Sequence, residues 1–247
     1  MKTLPCYFFL KLILPAALIF LVMAPARSEI QPEALALAKE VAAKLQTSQT
    51  VQLAAKHEVD PALTTGSKLD EGPIRITFKR PNLFYAVQDA KDQTREIAFD
   101  GKTLCVMHPG LKHHALEPLK AGTIELFSDV VDARFGFRPP LAELLANDLT
   151  ANLLVNVKDA SLAGSERVGW TRCERLRLVQ DGMTADIWVG SKDKLPRRML
   201  FTYTSLAGQP AWDIRLSKWE LNPEVDASLF SKRPAADSSK VKMLKTR

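Results

Sequence analysis

Four histidines are the residues of this chain whose chemistry could bind a transition metal. They are His57, His108, His113 and His114. A tetrahedral site needs imidazole, thiolate or carboxylate ligands that converge on one ion, whereas the adjacent residues His113 and His114 would point to opposite faces of a strand. No thiolate or carboxylate stands at a spacing that completes such a set. We therefore predict no metal site and no cofactor.

Two cysteines, Cys105 and Cys173, could act as nucleophiles or form a disulfide. A nucleophilic thiol needs a base within hydrogen-bond reach, and His108 is near Cys105 in sequence. Such a pair is a weak signal for catalysis. Two interpretations stay open. One is a disulfide between the two halves of the sheet, which an oxidising compartment permits. The other is a pair of buried free thiols that behave as small apolar side chains.

Catalytic signatures are missing from the sequence. It contains no Gly-x-Ser-x-Gly elbow, no phosphate-binding loop, no zinc signature and no isolated pair of carboxylates in apolar surroundings. The acidic residues fall mostly in turn-like segments or on the polar side of alternating stretches. We therefore predict that the protein is not an enzyme and that it binds a ligand or a partner.

Alternating apolar and polar residues predict a large antiparallel β-sheet. Ile74, Ile76 and Phe78 alternate with polar neighbours, which is typical of strands with one wet face. Asp100 and Gly101 are a strong hairpin signal. Later strands are predicted over residues 160–168, 171–180, 184–189, 196–205 and 211–221. In total we expect about ten or eleven strands, at the spacing of a barrel or sandwich.

Helical periodicity occurs in two places. Pro32 suits a first helical turn, and apolar residues recur after it at helical spacing up to Leu45. An insertion of two helices is predicted near residues 123–147, and Pro139 and Pro140 open the second one. The apolar face of that second helix consists of Leu141, Leu144 and Leu145.

These elements predict an α+β fold: an incomplete, half-open antiparallel β-barrel with an N-terminal helix and an inserted helical lid. One alternative concerns the insertion. Its helices could be ordinary core helices, with the space beneath them filled.

Both ends of the chain lie outside the predicted domain, which covers residues 27–235. Residues 1–26 combine two lysines with an apolar run, which is typical of a secretory signal peptide, here cleaved near Ala26; an uncleaved anchor is the alternative. Its removal takes away two of the 34 basic residues and none of the 28 acidic ones, which leaves 32 against 28. Residues 236–247 are predicted to form a disordered basic tail. No basic motif in the folded part indicates nucleic-acid binding.

Several short motifs occur in an order that resembles the LolA-type periplasmic lipoprotein carriers and their superfamily. They are Lys-Arg-Pro-Asn-Leu-Phe at 79–84, Asp-Gly-Lys-Thr-Leu at 100–104, Pro109, Leu-Pro-Arg at 195–197, Gly208 and Asp-Ala-Ser-Leu-Phe at 226–230. Within the superfamily, the combination with Gly169, Cys173, Trp188 and residues 195–198 is most similar to a group of predicted periplasmic proteins.

The resemblance implies a function as well as a fold. In LolA-type carriers the arginine of the Arg-Pro-Asn-Leu-Phe motif hydrogen-bonds the lid until cargo displaces it, and Arg80 occupies that position here. We therefore expect a periplasmic, monomeric carrier of a lipid or an acylated protein, with partner proteins in the inner or outer membrane. An apolar cavity suits acyl chains because each buried methylene contributes about 0.8 kcal/mol.

The expected ligand-binding residues join the resemblance to the apolar faces of the strands. They are Arg80, Leu83, Tyr85, Trp212, Ile214 and Leu216. A second function class stays open. A non-transporting periplasmic sensor or structural module would use the same sheet to bind a protein partner.

Overall fold

The computed structural model of the protein describes residues 29–64, 72–90 and 93–246. Within these ranges the α-helices are α1 (Pro32–Gln46), α2 (Ile124–Phe135) and α3 (Leu149–Leu154). The strands are β1 (Thr50–Val59), β2 (Gly72–Lys79), β3 (Leu83–Ala90), β4 (Gln93–Phe99), β5 (Thr103–His108), β6 (His113–Pro118), β7 (Asp159–Val168), β8 (Thr171–Gln180), β9 (Met183–Gly190), β10 (Pro196–Thr202), β11 (Ala211–Leu221) and β12 (Ser239–Lys240). The predicted signal peptide, residues 1–26, lies outside the described residues.

The twelve strands form one sheet in the order β12-β6-β5-β4-β3-β2-β1-β11-β10-β9-β8-β7. Neighbouring strands pair antiparallel, and β1 pairs with β11 at the centre of the sheet. The exception among these strands is β12, which pairs in parallel with β6. The sheet does not close into a barrel, because β12 and β7 form two separate edges. The predicted α+β class and the N-terminal helix are confirmed.

The C-terminal tail is ordered along the sheet, so the prediction of a disordered tail over residues 236–247 was wrong for the part that the structure describes. β12 extends the sheet beside β6, and the amide of Val241 donates to the carbonyl of His114 at 2.8 Å. Farther along, the amide of Thr246 donates to the carbonyl of Arg134 at 3.0 Å. Backbone hydrogen bonds hold this segment whatever its side chains are, and composition does not report them.

The helices pack on one face of the sheet, which is called the covered face below. Phe78, Phe84 and Phe99 project from it and are fully buried. α1 adds a buried stripe at helical spacing, from Leu37 to Leu45, against β7, β8 and α3. The residues that alternate with the covered ones lie on the opposite, outer face, because successive side chains of a strand point to opposite sides.

α2 begins and ends where its sequence directs. The Thr123 hydroxyl accepts a hydrogen bond from the Leu126 amide at 3.2 Å, which caps the first turn, and Gly136 ends the helix with φ of 69°. From the first turn of α2, Phe127 stacks on Phe99 of β4 with ring centroids 4.0 Å apart. This contact fixes α2 to the covered face.

The second predicted helix of the insertion does not form as an α-helix. Residues Ala142–Leu145 form a short 3₁₀ turn instead, and α3 follows. Leu141 has φ of 56°, a left-handed conformation that a helix cannot contain. The turn is therefore confined between this residue and Ala146. None of the helices that the structure describes is both long and apolar enough to cross a membrane.

Replacement of Phe127 by alanine should destabilise the protein by about 3–5 kcal/mol, because it leaves a cavity against Phe99. Urea unfolding followed by circular dichroism measures the change. The matched control is Leu126→Ala on the same helix, where the side chain is 47% exposed. Its effect should stay within about 0.5 kcal/mol. Equal losses for the two variants would contradict the packing described here.

Candidate functional site

A cavity of about 480 Å³ lies between the covered face and residues 138–153, which are called the cover segment below. Strands β8 to β11 supply the sheet side of the cavity. The main apolar side chains on that side are Leu178, Ile187, Met199, Phe201, Trp212 and Ile214. Several of them come from neighbouring strands at paired positions, such as Met199 opposite both Ile187 and Ile214. The antiparallel register thus gathers them into one continuous apolar surface.

The cover segment reaches the cavity through an irregular backbone. Pro139 and Pro140 line its rim, and the left-handed Leu141 turns the chain so that Leu141 and Leu144 also contact the cavity. The amide of Leu144 donates to the carbonyl of Leu141 at 3.1 Å, which closes the short turn. Apolar side chains therefore face the cavity from both sides.

Polar groups at the cavity are bonded to the protein itself. Arg138 donates to Asp132 at 3.0 Å and to Glu143 at 3.4 Å. Burial alone would lower the pKa of Arg138, but these two carboxylates raise it overall. The side-chain amide of Gln180 donates to the backbone carbonyl of Val155 at 2.7 Å. These polar groups already have partners within the protein, and an apolar ligand would not break these bonds.

Arg80 connects the cover segment to the end of α1. Its guanidinium donates to the carbonyls of Leu45 at 3.1 Å, Ser48 at 3.0 Å and Leu145 at 3.2 Å, and to the Asn147 side chain at 2.7 Å. Burial lowers the pKa of Arg80, and the nearby carboxylate of Glu125 partly offsets this effect. The side chain remains charged because an arginine is protonated at all physiological pH values.

Glu125 completes this cluster from the first turn of α2. It accepts hydrogen bonds from the backbone amide of Asn147 and, at 3.0 Å, from the Asn147 side chain. Burial would raise the pKa of Glu125, but hydrogen bonds from the backbone amides of Glu125 and Asn147 lower it overall. Arg80 and Glu125 therefore hold the end of the cover segment from two sides.

The residues predicted for the site fall into three groups. Trp212, Ile214, Leu141 and Leu144 line the cavity. Leu216 and Leu145 are buried in the core but are not among the lining residues. Arg80 contacts the cover segment rather than the cavity, as the family resemblance implies.

Leu83 and Tyr85, which were predicted as ligand-binding residues, do not line the cavity. They alternate with Phe84, which belongs to the covered face, and therefore lie on the outer face. Tyr85 packs there in a small apolar cluster, and its hydroxyl donates to Glu96 at 2.7 Å. Both faces of β3 carry apolar residues, so the sequence did not reveal which face would be covered.

The cavity residues that were not predicted include four large apolar side chains of the sheet: Leu178, Ile187, Met199 and Phe201. A signal for them was present in the alternation of β8, β9 and β10. Each lies in register with Trp212 or Ile214 through the antiparallel pairing. Choosing them required the order of the strands, which the sequence alone did not provide.

The disulfide hypothesis is contradicted, since Cys105 and Cys173 are both free and buried. Eight steps between neighbouring strands, each about 4.8 Å, separate β5 from β8 along the sheet. A disulfide needs Cα atoms about 4.4–6.8 Å apart. Burial raises the pKa of both thiols, so they stay protonated near neutral pH. The interpretation as small apolar side chains agrees with this placement.

The described residues contain no group of three or more histidine, cysteine, aspartate or glutamate side chains that could hold a metal ion. His113 and His114 lie at the start of β6, where they pair with β12. The ring of His114 is 2.9 Å from the hydroxyl of Ser238. It therefore takes part in the attachment of the tail.

Family membership follows from a match that spans most of the chain. The family described as "Predicted periplasmic protein (DUF2092)" matches residues 34–244. The chain belongs to this family. The protein is accordingly located in the periplasm. Among curated proteins, none matches the sequence.

Solved structures are similar to the chain at low sequence identity. Lipoprotein LppX of Mycobacterium tuberculosis has a TM-score of 0.50 and 14% identity, over 80% of this chain and 99% of LppX. LprF of Mycobacterium bovis has a TM-score of 0.49 and 16% identity, over 84% of this chain and 99% of LprF. A LolA superfamily protein of Nitrosomonas europaea has a TM-score of 0.32 and 13% identity, over 79% and 97% of the two chains. At such identities a likeness concerns the fold alone.

Thiol titration of unreduced protein that lacks residues 1–26 should detect two thiols per chain after denaturation. In the native state both should react slowly, because they are buried and burial raises their pKa. Cys105→Ser and Cys173→Ser serve as controls, since each should lower the count in denaturant to one. A count of zero in the unreduced, denatured wild type would show that the two cysteines form a disulfide.

Proposed function

We propose that the protein binds one long hydrocarbon chain, from a lipid or an acylated protein, in the cavity between β8–β11 and the cover segment. The observation that carries this proposal is the cavity of about 480 Å³ with apolar side chains on both walls. Sites for small ligands are typically concave, mostly apolar and about 300–1,000 Å³ in volume. The cavity therefore has the size and the chemistry of a binding site.

Volume supports a single chain as the ligand. A dry cavity of about 150 Å³ is enough to bind one benzene ring of six carbon atoms. The cavity here is roughly three times larger, which offers room for about eighteen carbon atoms. That is the size of one long acyl chain. Two or more chains would require the cover segment to move away from the sheet.

Binding rather than catalysis is the activity that these side chains suit. Apolar walls contribute about 0.8 kcal/mol per buried methylene, so a chain of this size gains enough free energy to bind without a charged contact. The polar groups at the rim, Arg138, Glu143 and Gln180, are engaged with the protein. We accordingly propose a carrier and not an enzyme.

In this proposal the cover segment is a lid and Arg80 is its latch. Opening the lid requires the guanidinium to give up the carbonyl of Leu145 and the side chain of Asn147. Its bonds to Leu45 and Ser48 can persist, because these belong to the end of α1 and the turn after it. Arg80 would thus remain ordered while the lid moves. The resemblance to LolA-type carriers, in which this arginine holds the lid, supports the assignment.

Ligand binding is tested by titrating the lipid-stripped protein with a fluorescent long-chain fatty acid. The wild type should bind it, and Phe201→Asn should weaken binding by about tenfold or more, because the amide loses hydration inside an apolar cavity. Leu200→Asn is the matched control, since Leu200 precedes Phe201 on β10 and faces the outer side. Its affinity should stay within about twofold of the wild type.

Melting curves for each variant separate a local effect from misfolding. No probe binding by the wild type would overturn the carrier proposal and leave the alternative of a module that binds a protein partner. Equal weakening by the two substitutions would show that the probe does not occupy this cavity.

The latch is tested by the rate at which bound probe dissociates. Arg80→Leu should raise this rate by about tenfold or more, because hydrogen bonds to a charged group contribute about 1.5–3 kcal/mol. The dissociation rate of Arg80→Lys should fall between the rates of the wild type and Arg80→Leu, since an ammonium cannot reproduce the planar fork. The control is Arg75→Leu, an arginine of the outer face in an exposed ion pair with Asp89, which should change the rate by less than about twofold. An unchanged rate in Arg80→Leu would refute the latch.

A further inference from the structure

The tip of the β7–β8 hairpin exposes a tryptophan almost completely. Trp170 is 96% exposed, although tryptophan is highly buried on average in folded proteins. Gly169 precedes it with φ of 57°, and a Cβ added to this glycine would meet no atom within 4 Å. The tip therefore projects into open space, with the indole ring at its end.

Three exposed cations lie in this hairpin and in the turn beside it. Arg167 and Arg172 lie directly opposite each other in the hairpin, and both side chains are exposed. Lys192 lies in the next turn, which is held beside the hairpin because the Ser191 amide donates to the Arg172 carbonyl at 3.0 Å. Within the described residues none of the three cations forms an ion pair.

Nearby acidic groups are already engaged by other partners. Glu166 lies 3.9 Å from the guanidinium of Arg175 and also accepts a hydrogen bond from the indole of Trp188, and Asp193 pairs with Arg197. The positive charge at the tip is therefore not neutralised from within the fold. A protruding tryptophan together with uncompensated arginine and lysine is a combination that fits the boundary between lipid headgroups and water.

We propose that this tip docks the protein on the surface of an anionic phospholipid bilayer. The indole of Trp170 enters the headgroup region, and Arg167, Arg172 and Lys192 contact lipid phosphates. A bilayer fits better than a protein partner, because a stable protein interface buries about 800 Å² on each side and a hairpin tip offers far less. A planar bilayer needs only a projecting contact of this shape. A protein in the periplasm also lies close to a membrane surface.

Docking does not depend on the proposed ligand. The cavity uses the far half of β8–β10, near the residues of the β8–β9 turn, whereas Trp170 stands at the opposite end of the same strands. That end of β8 is five strand steps away from β2, which Arg80 follows. The two sites can therefore be altered separately.

Flotation with lipid vesicles tests the proposal on the full exported chain. The protein should float with vesicles of phosphatidylcholine and phosphatidylglycerol and not with vesicles of phosphatidylcholine alone. Trp170→Ser should weaken binding by about tenfold or more. The triple variant Arg167→Gln, Arg172→Gln, Lys192→Gln should weaken it further, since each cation near an anionic surface contributes roughly fivefold. Tryptophan fluorescence should shift to the blue on binding, and the shift should vanish in Trp170→Ser.

The tail provides a matched control. Leu244 is 90% exposed and stands between Lys242 and Lys245, which are also exposed. Leu244→Ser combined with Lys242→Gln and Lys245→Gln should leave vesicle binding unchanged. Loss of binding in this tail variant but not in Trp170→Ser would overturn the proposal, as would a wild type that binds neither kind of vesicle. Fatty-acid binding in solution should be the same for Trp170→Ser and the wild type, so failure of docking is distinct from failure of the carrier function.

Discussion

The apolar face of an open sheet is the constraint on which the rest of this structure depends. A sheet that closes on itself buries its inner face, but here the edges β12 and β7 remain separate and helices must supply the cover. α1, α2 and α3 are short for a sheet of twelve strands. α1 and α2 fill the two flanks with packed side chains such as Phe127 and Leu45. The strands between them are covered by a loosely built segment instead, and a cavity remains beneath it.

One guanidinium connects the helical part of this cover, at the end of α1, to the irregular cover segment. Arg80 stands at the end of β2 and meets the carbonyl end of α1, where a cation is favoured by the helix dipole. The same group reaches Leu145 and Asn147. Its planar fork matters because the acceptors belong to separate segments, and a lysine could not address them all at fixed angles. Few polar contacts thus determine the position of the cover segment, because the apolar surface beneath it does not favour one arrangement of the segment over another.

How much of the fold and of the candidate site could be predicted depends on whether a sequence pattern also indicates which face of the sheet is covered. Alternation fixed the strands of the second half closely, and two of the residues predicted from it, Trp212 and Ile214, line the cavity. Alternation fixes which residues share a face, but it does not tell which face is covered, and Leu83 and Tyr85 were assigned to the wrong one for that reason. Apolar spacing after two prolines suggested a helix, yet the left-handed Leu141 confined it to one turn. The order of strands, which gathers Phe201 into the site, has no local signal.

The central pairing of β1 with β11 also has a consequence for how the chain reaches its native state. Val51 pairs with Leu221, far away in sequence, so the two halves of the sheet cannot join until nearly the whole chain is available. Proteins dominated by such distant contacts fold slowly. The edge at β6 is also covered late, because β12 lies near the end of the sequence, and the bridge from Ile30 covers only one position of β7. Until then both edges can pair with other chains, so the newly exported protein would gain from a holding chaperone before its sheet is complete.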